Sequence, residues 1–376
     1  MAKTPLAIYI HWPYCARICP YCDFNVYKQK TDETLLGAIC QDLKGWREWS
    51  GLREIISVHF GGGTPSLMRG ADIAVILNTI DDLWGLPEGA EIGLEANPNN
   101  AATAKLDAFK AAGINRLSLG VQSFHDAALK QLGRDHDSAA ARIAIAQAVE
   151  RFPSISADLI FGWRGQTEEL LRADIQALLD LNVSHISTYQ LTIEDGTAFA
   201  KAEARGDVQA VDNDQSADFY DLVRTQLSGA GFEHYEISNF AKLGQRSQHN
   251  LAYWRGLDYV GAGPGAHGRL TVDGQRFATI AALRPDDYSA RVKAKGLGAQ
   301  TKEALSEEDR FDEYVLMGLR ITDGLDLAKL AAPVDFMTRA QELIQTGHLE
   351  QTDTRLRATI KGRPLLNYIT EKLLVG

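Results

Sequence analysis

"HWPYCARICPYCDFN", residues 11–25, places three of the chain's four cysteines in the spacing C-x3-C-x2-C. Three thiols cannot all pair with one another, so a disulfide framework does not account for Cys15, Cys19 and Cys22. A structural zinc site takes four ligands, commonly as two matched pairs of Cys or His, and no second pair follows here at such spacing. His11 would have to supply the fourth ligand, and it lies on the strand suggested by the apolar run Leu6–Ile10. Three thiolates on one loop suit a four-iron, four-sulfur cluster that leaves one iron without a protein ligand. Zinc, or three incidental buried thiols, are the alternatives.

The segments around this loop give the fold. Apolar runs at Leu6–Trp12, Ile56–Gly61, Glu91–Glu95, Arg116–Val121, Ile155–Phe161 and His185–Leu191 read as strands. Amphipathic stretches at Asp32–Trp49, Ala71–Leu83, Ala101–Ala111, Ser138–Arg151, Glu168–Leu179 and Asn213–Ala230 read as helices, with Thr31, Asn100 and Asp137 as N-caps. Successive strand–helix units predict a parallel sheet, because each strand needs a covering crossover before the next. Chemistry is then expected at the carboxyl ends of the strands. The cysteines follow the first strand, "GGGTP" (61–65) the second, "EANP" (95–98) the third and "VQS" (121–123) the fourth.

Beyond residue 231 the text turns aromatic and polar without a clear period, and leads into "GAGPGAHG" (261–268). Past Leu283 it reads as charged and helical, with Glu303–Leu319 an amphipathic helix and the tail a helix, hairpin and helix. The expected division is a core over 1–235, a connecting segment over 236–290 and a small C-terminal domain over 291–376. The formal charge of −10 argues against a surface that tracks nucleic-acid phosphates. The thiol-poor composition and the lack of a long apolar leader suggest a cytoplasmic protein. Cys40, in the first helix, reads as a structural thiol.

C-x3-C-x2-C at the end of the first strand, with Tyr21 before the last Cys and a glycine motif after the second strand, resembles the radical S-adenosylmethionine (SAM) superfamily. That resemblance implies an α/β fold: a partial (β/α)6 TIM-type barrel, here with a small, mainly helical winged-helix-like C-terminal domain. It also implies a [4Fe–4S] cluster on Cys15, Cys19 and Cys22, whose open iron chelates SAM. An electron from the cluster would cleave SAM to a deoxyadenosyl radical, and a flavodoxin or ferredoxin is a natural donor.

"EANP", "SLGVQSF", "LGRDH" and "DLIFG" further resemble the oxygen-independent coproporphyrinogen III oxidase family. By that match Tyr9, Phe24, Gly62, Gly63, Thr64, Glu95, Gln122, Arg134 and Asp158 are the expected SAM contacts. Trp163 and Arg164 depart from the Leu-Pro pair that family carries after "DLIFG".

The oxidases resemble C-x3-C-x2-C-x-C with an N-terminal extension. Here Phe24 stands at the further cysteine's place and the first strand begins by Leu6. "CPYCDFN", "YQLTIEDGTAF" and "QHNLAYW" instead resemble the heme-chaperone branch of the same family. That implies heme as ligand, a heme-acceptor protein as partner, and the phrase His249, Asn250, Tyr253, Trp254 as the heme site, with His267 as second choice. On residue chemistry alone the phrase reads equally as a hydrogen-bonded histidine among core aromatics. Oxidative decarboxylation of propionate side chains is the alternative function, and cluster assembly is an expected trigger for a homodimer.

Overall fold

The computed structural model describes residues 4–28, 33–330, 332–333 and 335–374. Its main sheet has twelve strands. In chain order these are β1 Pro5–Trp12, β2 Glu54–Gly62, β3 Glu91–Ala96, β4 Arg116–Gln122, β5 Ser154–Phe161 and β6 His185–Gln190, followed by β7 Glu233–Glu236, β8 Asn239–Ala241, β9 Tyr259–Ala262, β10 His267–Val272, β11 Gln275–Ala281 and β12 Ala299–Ala304. The spatial order is β12-β11-β10-β9-β1-β2-β3-β4-β5-β6-β8-β7. From β9 through β1 to β6 every neighbour is parallel. The flanking strands on both sides are antiparallel. The six strands read from the sequence are therefore, in sequential order, six of the seven parallel strands; β9, which the sequence reading left within an irregular segment, is the seventh. Residues from the loop after β1 and from the carboxyl-terminal halves of β2 to β6 line one cavity, so the sheet curls around it.

The apolar runs form strands because Leu6, Ile8, Ile10, Val58, Phe60, Leu94, Leu117, Leu119, Ala157 and Ile186 are all fully buried beneath the covering helices. The helices run over Glu33–Ser50, Gly70–Trp84, Thr103–Ala112, Ser138–Val149, Glu168–Asp180 and Asn213–Gly229. Asp137 caps as expected, its side chain accepting from the Ala140 N–H at 2.8 Å. Asn100 does not cap: Pro98–Asn100 forms a 3-10 turn and the helix starts later, at Thr103 after Ala102. Thr31 and Asp32 lie outside the described residues.

Two expectations past residue 231 are corrected. Residues 259–304 hold four strands rather than an irregular segment leading into helix, interrupted by the helix Pro285–Lys295. Glu303 and Ala304 end β12, and the following helix is Glu307–Gly318 with Ser306 as its N-cap in a reciprocal capping box with Asp309. A second core gathers Phe311, Val315, Leu325, Phe336, Leu349, Leu356 and Ile369. It joins helices Glu307–Gly318, Phe336–Gln345 and Leu366–Leu374 to a three-stranded antiparallel sheet. The loop after β5, where Trp163 and Arg164 depart from the family pattern, is well tied. Trp163 is buried and bridges Ala210, and the Arg164 N–H donates to Gln209 O at 2.8 Å. Among the described residues no helix is long and apolar enough to cross a membrane.

Candidate functional site at the carboxyl ends of the strands

β1 ends at Trp12 and the chain enters the cysteine loop. A two-residue parallel pairing of Tyr14–Cys15 with Tyr27–Lys28 closes that loop on itself. The GGGTP turn hydrogen-bonds directly to it, Gly63 N to Trp12 O at 2.7 Å and Thr64 N to Tyr14 O at 2.9 Å. A Cβ on Gly63 would stand 2.8–2.9 Å from Tyr14 O, Pro13 C and Trp12 O. One on Gly62, whose φ is +105°, would meet the His11 ring at 2.5 Å. These glycines are thus required by the protein's own packing, in addition to lining the cavity.

The three thiols are free. Cys15 accepts from the Thr64 hydroxyl at 3.4 Å, and Cys19 from Arg134 Nη1 at 3.4 Å. Arg134 also reaches Tyr21 Oη at 3.4 Å and donates through Nη2 to Gly120 O at 2.9 Å, so it braces the loop against β4. Burial pushes the Cys15 thiol up, and the Cys22 thiol to about 11. A bare thiolate is costly there, and a cationic group shared by the thiols offsets that cost. The donor set therefore fits an iron–sulfur cluster.

The cavity has a volume of about 330 Å³ and collects Cys15, Cys19, Cys22, Phe24, Gly62, Gly63, Thr64, Glu95, Gln122, Arg134 and Asp158. Phe24 stands at its lip, 62% exposed. Gln122 ends β4 with φ +69°, a left-handed conformation that costs a non-glycine residue about 1–2 kcal/mol. Asp158 accepts from Ser118 Oγ at 3.2 and 3.3 Å. Burial first, and Glu95 second, raise its carboxyl to about 7.

Tyr9 is the one expected contact that does not line this cavity. It lies one layer deeper, its hydroxyl 3.1 Å from His11 Nδ1. Ser118, Asn97 and Tyr189, which also line the cavity, were not identified from the sequence. His59, 3.2 Å from Glu95 Oε1, was also missed. Alternating polar residues in "SVHFG" (57–61) mark an inward face and were the available signal.

The expected heme phrase lies elsewhere. Helix Gln248–Trp254 packs on the early residues of β2 and β3, away from the cysteines. His249 is buried, with Nδ1 2.9 Å from Ser57 Oγ and Nε2 2.6 Å from Tyr253 Oη. Both ring nitrogens are engaged by protein, so in this arrangement neither is available to iron. His267 differs. It is exposed, follows the glycine-rich turn that packs against His11 and Asn25, and its imidazole makes no hydrogen bond among the described residues.

A curled parallel sheet with three free thiols, a glycine turn and paired carboxylates at its carboxyl mouth defines a radical SAM protein, and residues 9–178 match the Radical SAM superfamily model. Residues 305–365 match the HemN C-terminal domain. The fold is shared with coproporphyrinogen III oxidase (HemN) from Escherichia coli, described as a radical SAM enzyme, at a TM-score of 0.81 and 22% identity over 99% of this chain and 91% of that one. Heme chaperone HemW from Mycobacterium tuberculosis is 35% identical over 100% of this chain and 96% of its own length. HemW from Haemophilus influenzae is 40% identical, over 98% of each. A mouse protein, radical S-adenosyl methionine domain-containing protein 1, mitochondrial, is 40% identical over 86% of this chain and 75% of its own. The chain belongs to the HemW family of radical SAM proteins.

Proposed function

We propose that this protein is a heme chaperone that carries a [4Fe–4S] cluster and SAM, binds heme, and passes it to an acceptor protein. Similarity to HemW relatives over the whole chain supports the heme reading. The observation that carries the cofactor reading is the single cavity in which three free thiols meet Gly62, Gly63, Glu95 and Asp158. Cys15, Cys19 and Cys22 would hold the cluster, which supplies an open iron for SAM and single electrons from a flavodoxin- or ferredoxin-type donor. The Gly62–Thr64 backbone would receive the methionine end of SAM, while Glu95 accepts from its ribose hydroxyls. Gln122, Arg134 and Asp158 would complete the walls, and Phe24 would cover the mouth.

For heme, His267 is the better axial ligand, because its imidazole is exposed and unengaged whereas His249 is locked. The test is anaerobic reconstitution, iron and sulfide quantitation, and heme titration by absorbance for the parent, His267→Ala and His249→Ala. Saturable binding weakened only in His267→Ala is the expected result. A parent without saturable heme binding refutes the chaperone; incubation with coproporphyrinogen III, SAM and reductant then tests for decarboxylation.

A further inference from the structure

We infer that the histidine and tyrosine of the 249–253 phrase are positioning residues for Glu95, acting through His59 from the opposite end of the barrel. The inference rests on the reading of Glu95 as a SAM contact.

The start of helix Gln248–Trp254 is anchored on Glu91. The carboxylate accepts from Gln248 N at 3.0 Å, His249 N at 2.9 Å and Ser247 Oγ at 3.2 Å. Glu91 opens β3, the strand that carries Glu95 at its other end. His249 is fixed twice, by Ser57 on β2 and by Tyr253 one helical turn away. Burial drives its pKa well below the ordinary value, so the ring is neutral and a single tautomer satisfies both partners.

The fixed ring then sets the next one. His59 stacks on His249 with centroids 4.9 Å apart at 20°, and its other neighbour is Tyr9 at 6.4 Å and 13°. Its one side-chain hydrogen bond runs from Nε2 to Glu95 Oε1 at 3.2 Å, and its buried Nδ1 has no partner among the described residues. The stack therefore decides the plane in which Nε2 presents its proton to the carboxylate. The backbone has been cleared for this column. A Cβ on Gly93 would lie 2.5 Å from His59 Nδ1, and one on Gly61 would lie 2.8 Å from the Tyr9 ring and 3.0 Å from Glu95 Oε1.

The experiment is equilibrium dialysis of SAM against the reconstituted full-length protein, alongside heme titration. Tyr253→Phe removes only the phenolic oxygen. His249→Phe keeps a stacking ring and loses both hydrogen bonds. Each is expected to weaken SAM binding about fivefold, the loss of one buried hydrogen bond's worth of orientation, and to leave heme binding unchanged. In a Glu95→Gln background the same substitutions should have almost no further effect, which a general loosening of the fold would not reproduce. Unchanged SAM affinity in both variants, or full additivity with Glu95→Gln, overturns the inference. Loss of heme binding in His249→Phe with SAM binding intact returns the histidine to iron. If the parent itself does not bind SAM, the SAM reading fails first and this one with it.

Discussion

Replacing Asp158 with Asn should stabilise the protein by an amount that grows as pH rises from about 4 to about 7 and is constant above that. Asp158 sits inside the barrel facing Glu95, with Ser118, Ser187 and His59 also around it, and its carboxyl is raised from 3.8 to about 7, chiefly by burial. Below about pH 4 both the folded and unfolded chains hold the proton, and ionisation costs nothing. Between about pH 4 and 7 the unfolded chain releases it while the folded one keeps it, so stability falls as pH rises. Above about 7 the folded carboxyl is charged as well and the penalty is constant. A rise from 3.8 to about 7 corresponds to at most about 4 kcal/mol. Water in the cavity lowers the working figure to about 1–2 kcal/mol. The Asn side chain keeps an acceptor for the Ser118 hydroxyl. Thermal melts of parent and Asp158→Asn across pH 4.5–8.5, compared pairwise so that other groups cancel, should coincide at the acid end. They should diverge to a few degrees in the variant's favour by pH 8. SAM is a cation, so its binding beside Glu95 and Asp158 should expel the proton, and the parent's SAM affinity should rise with pH up to about 7 while the variant's stays flat. Melting curves that remain parallel across the range would refute the reasoning.

Gly63→Ala should cost about 1–3 kcal/mol, because its Cβ would press on three backbone atoms of Trp12–Tyr14 that cannot rotate away. Iron retention after reconstitution should fall with it, and a variant with parental melting temperature and iron content would contradict the packing argument. Asp42→Ala should destabilise by about 3 kcal/mol. The carboxylate is inaccessible and accepts from Tyr288 Oη and Gly298 N, both at 2.7 Å, which would be left as buried orphan donors. Tyr288 also accepts from Gly263 N at 3.0 Å, so limited proteolysis should show the glycine-rich turn loosened in that variant before the rest unfolds.

The parallel core was legible because its strands are buried on both faces and read as continuous apolar runs. Leu6, Ile8 and Ile10 alternate with residues that are themselves enclosed. Strands β10 to β12 gave no such signal. Five of the six residues of β12 are exposed, and the strand is held by its pairing to β11, with Lys302 lying over Trp49 at 3.9 Å. A polar edge strand stabilised by one neighbour has no hydrophobic period, and its charged composition resembles a solvated helix. The site was legible wherever a motif sits at a strand's carboxyl end, since the loop positions follow from the strand order. Tyr9 was placed one layer too high because alternation along β1 shows which face a residue occupies and not its depth beneath the mouth.

Depth is also what separates the two readings of His249. Helical spacing correctly brings His249 and Tyr253 to one face, but the spacing is silent on which end of the barrel that face covers. The strands carry that information in pairs. On β2, Ser57, His59 and Gly61 alternate on the inward face, and on β3 so do Glu91, Gly93 and Glu95. The register sets Ser57 beside Glu91 and His59 beside Gly93. Reading the two strands together gives a polar ladder: Glu91 and Ser57 at the helix end, His59 filling the space that Gly93 vacates, and Glu95 at the cavity. A ladder of that kind transmits position because its rungs are in direct contact: His249 is hydrogen-bonded to Ser57 and stacked on His59, and His59 is hydrogen-bonded to Glu95. A helix that closes one mouth of the barrel is then felt at the other, four residues along the same strand.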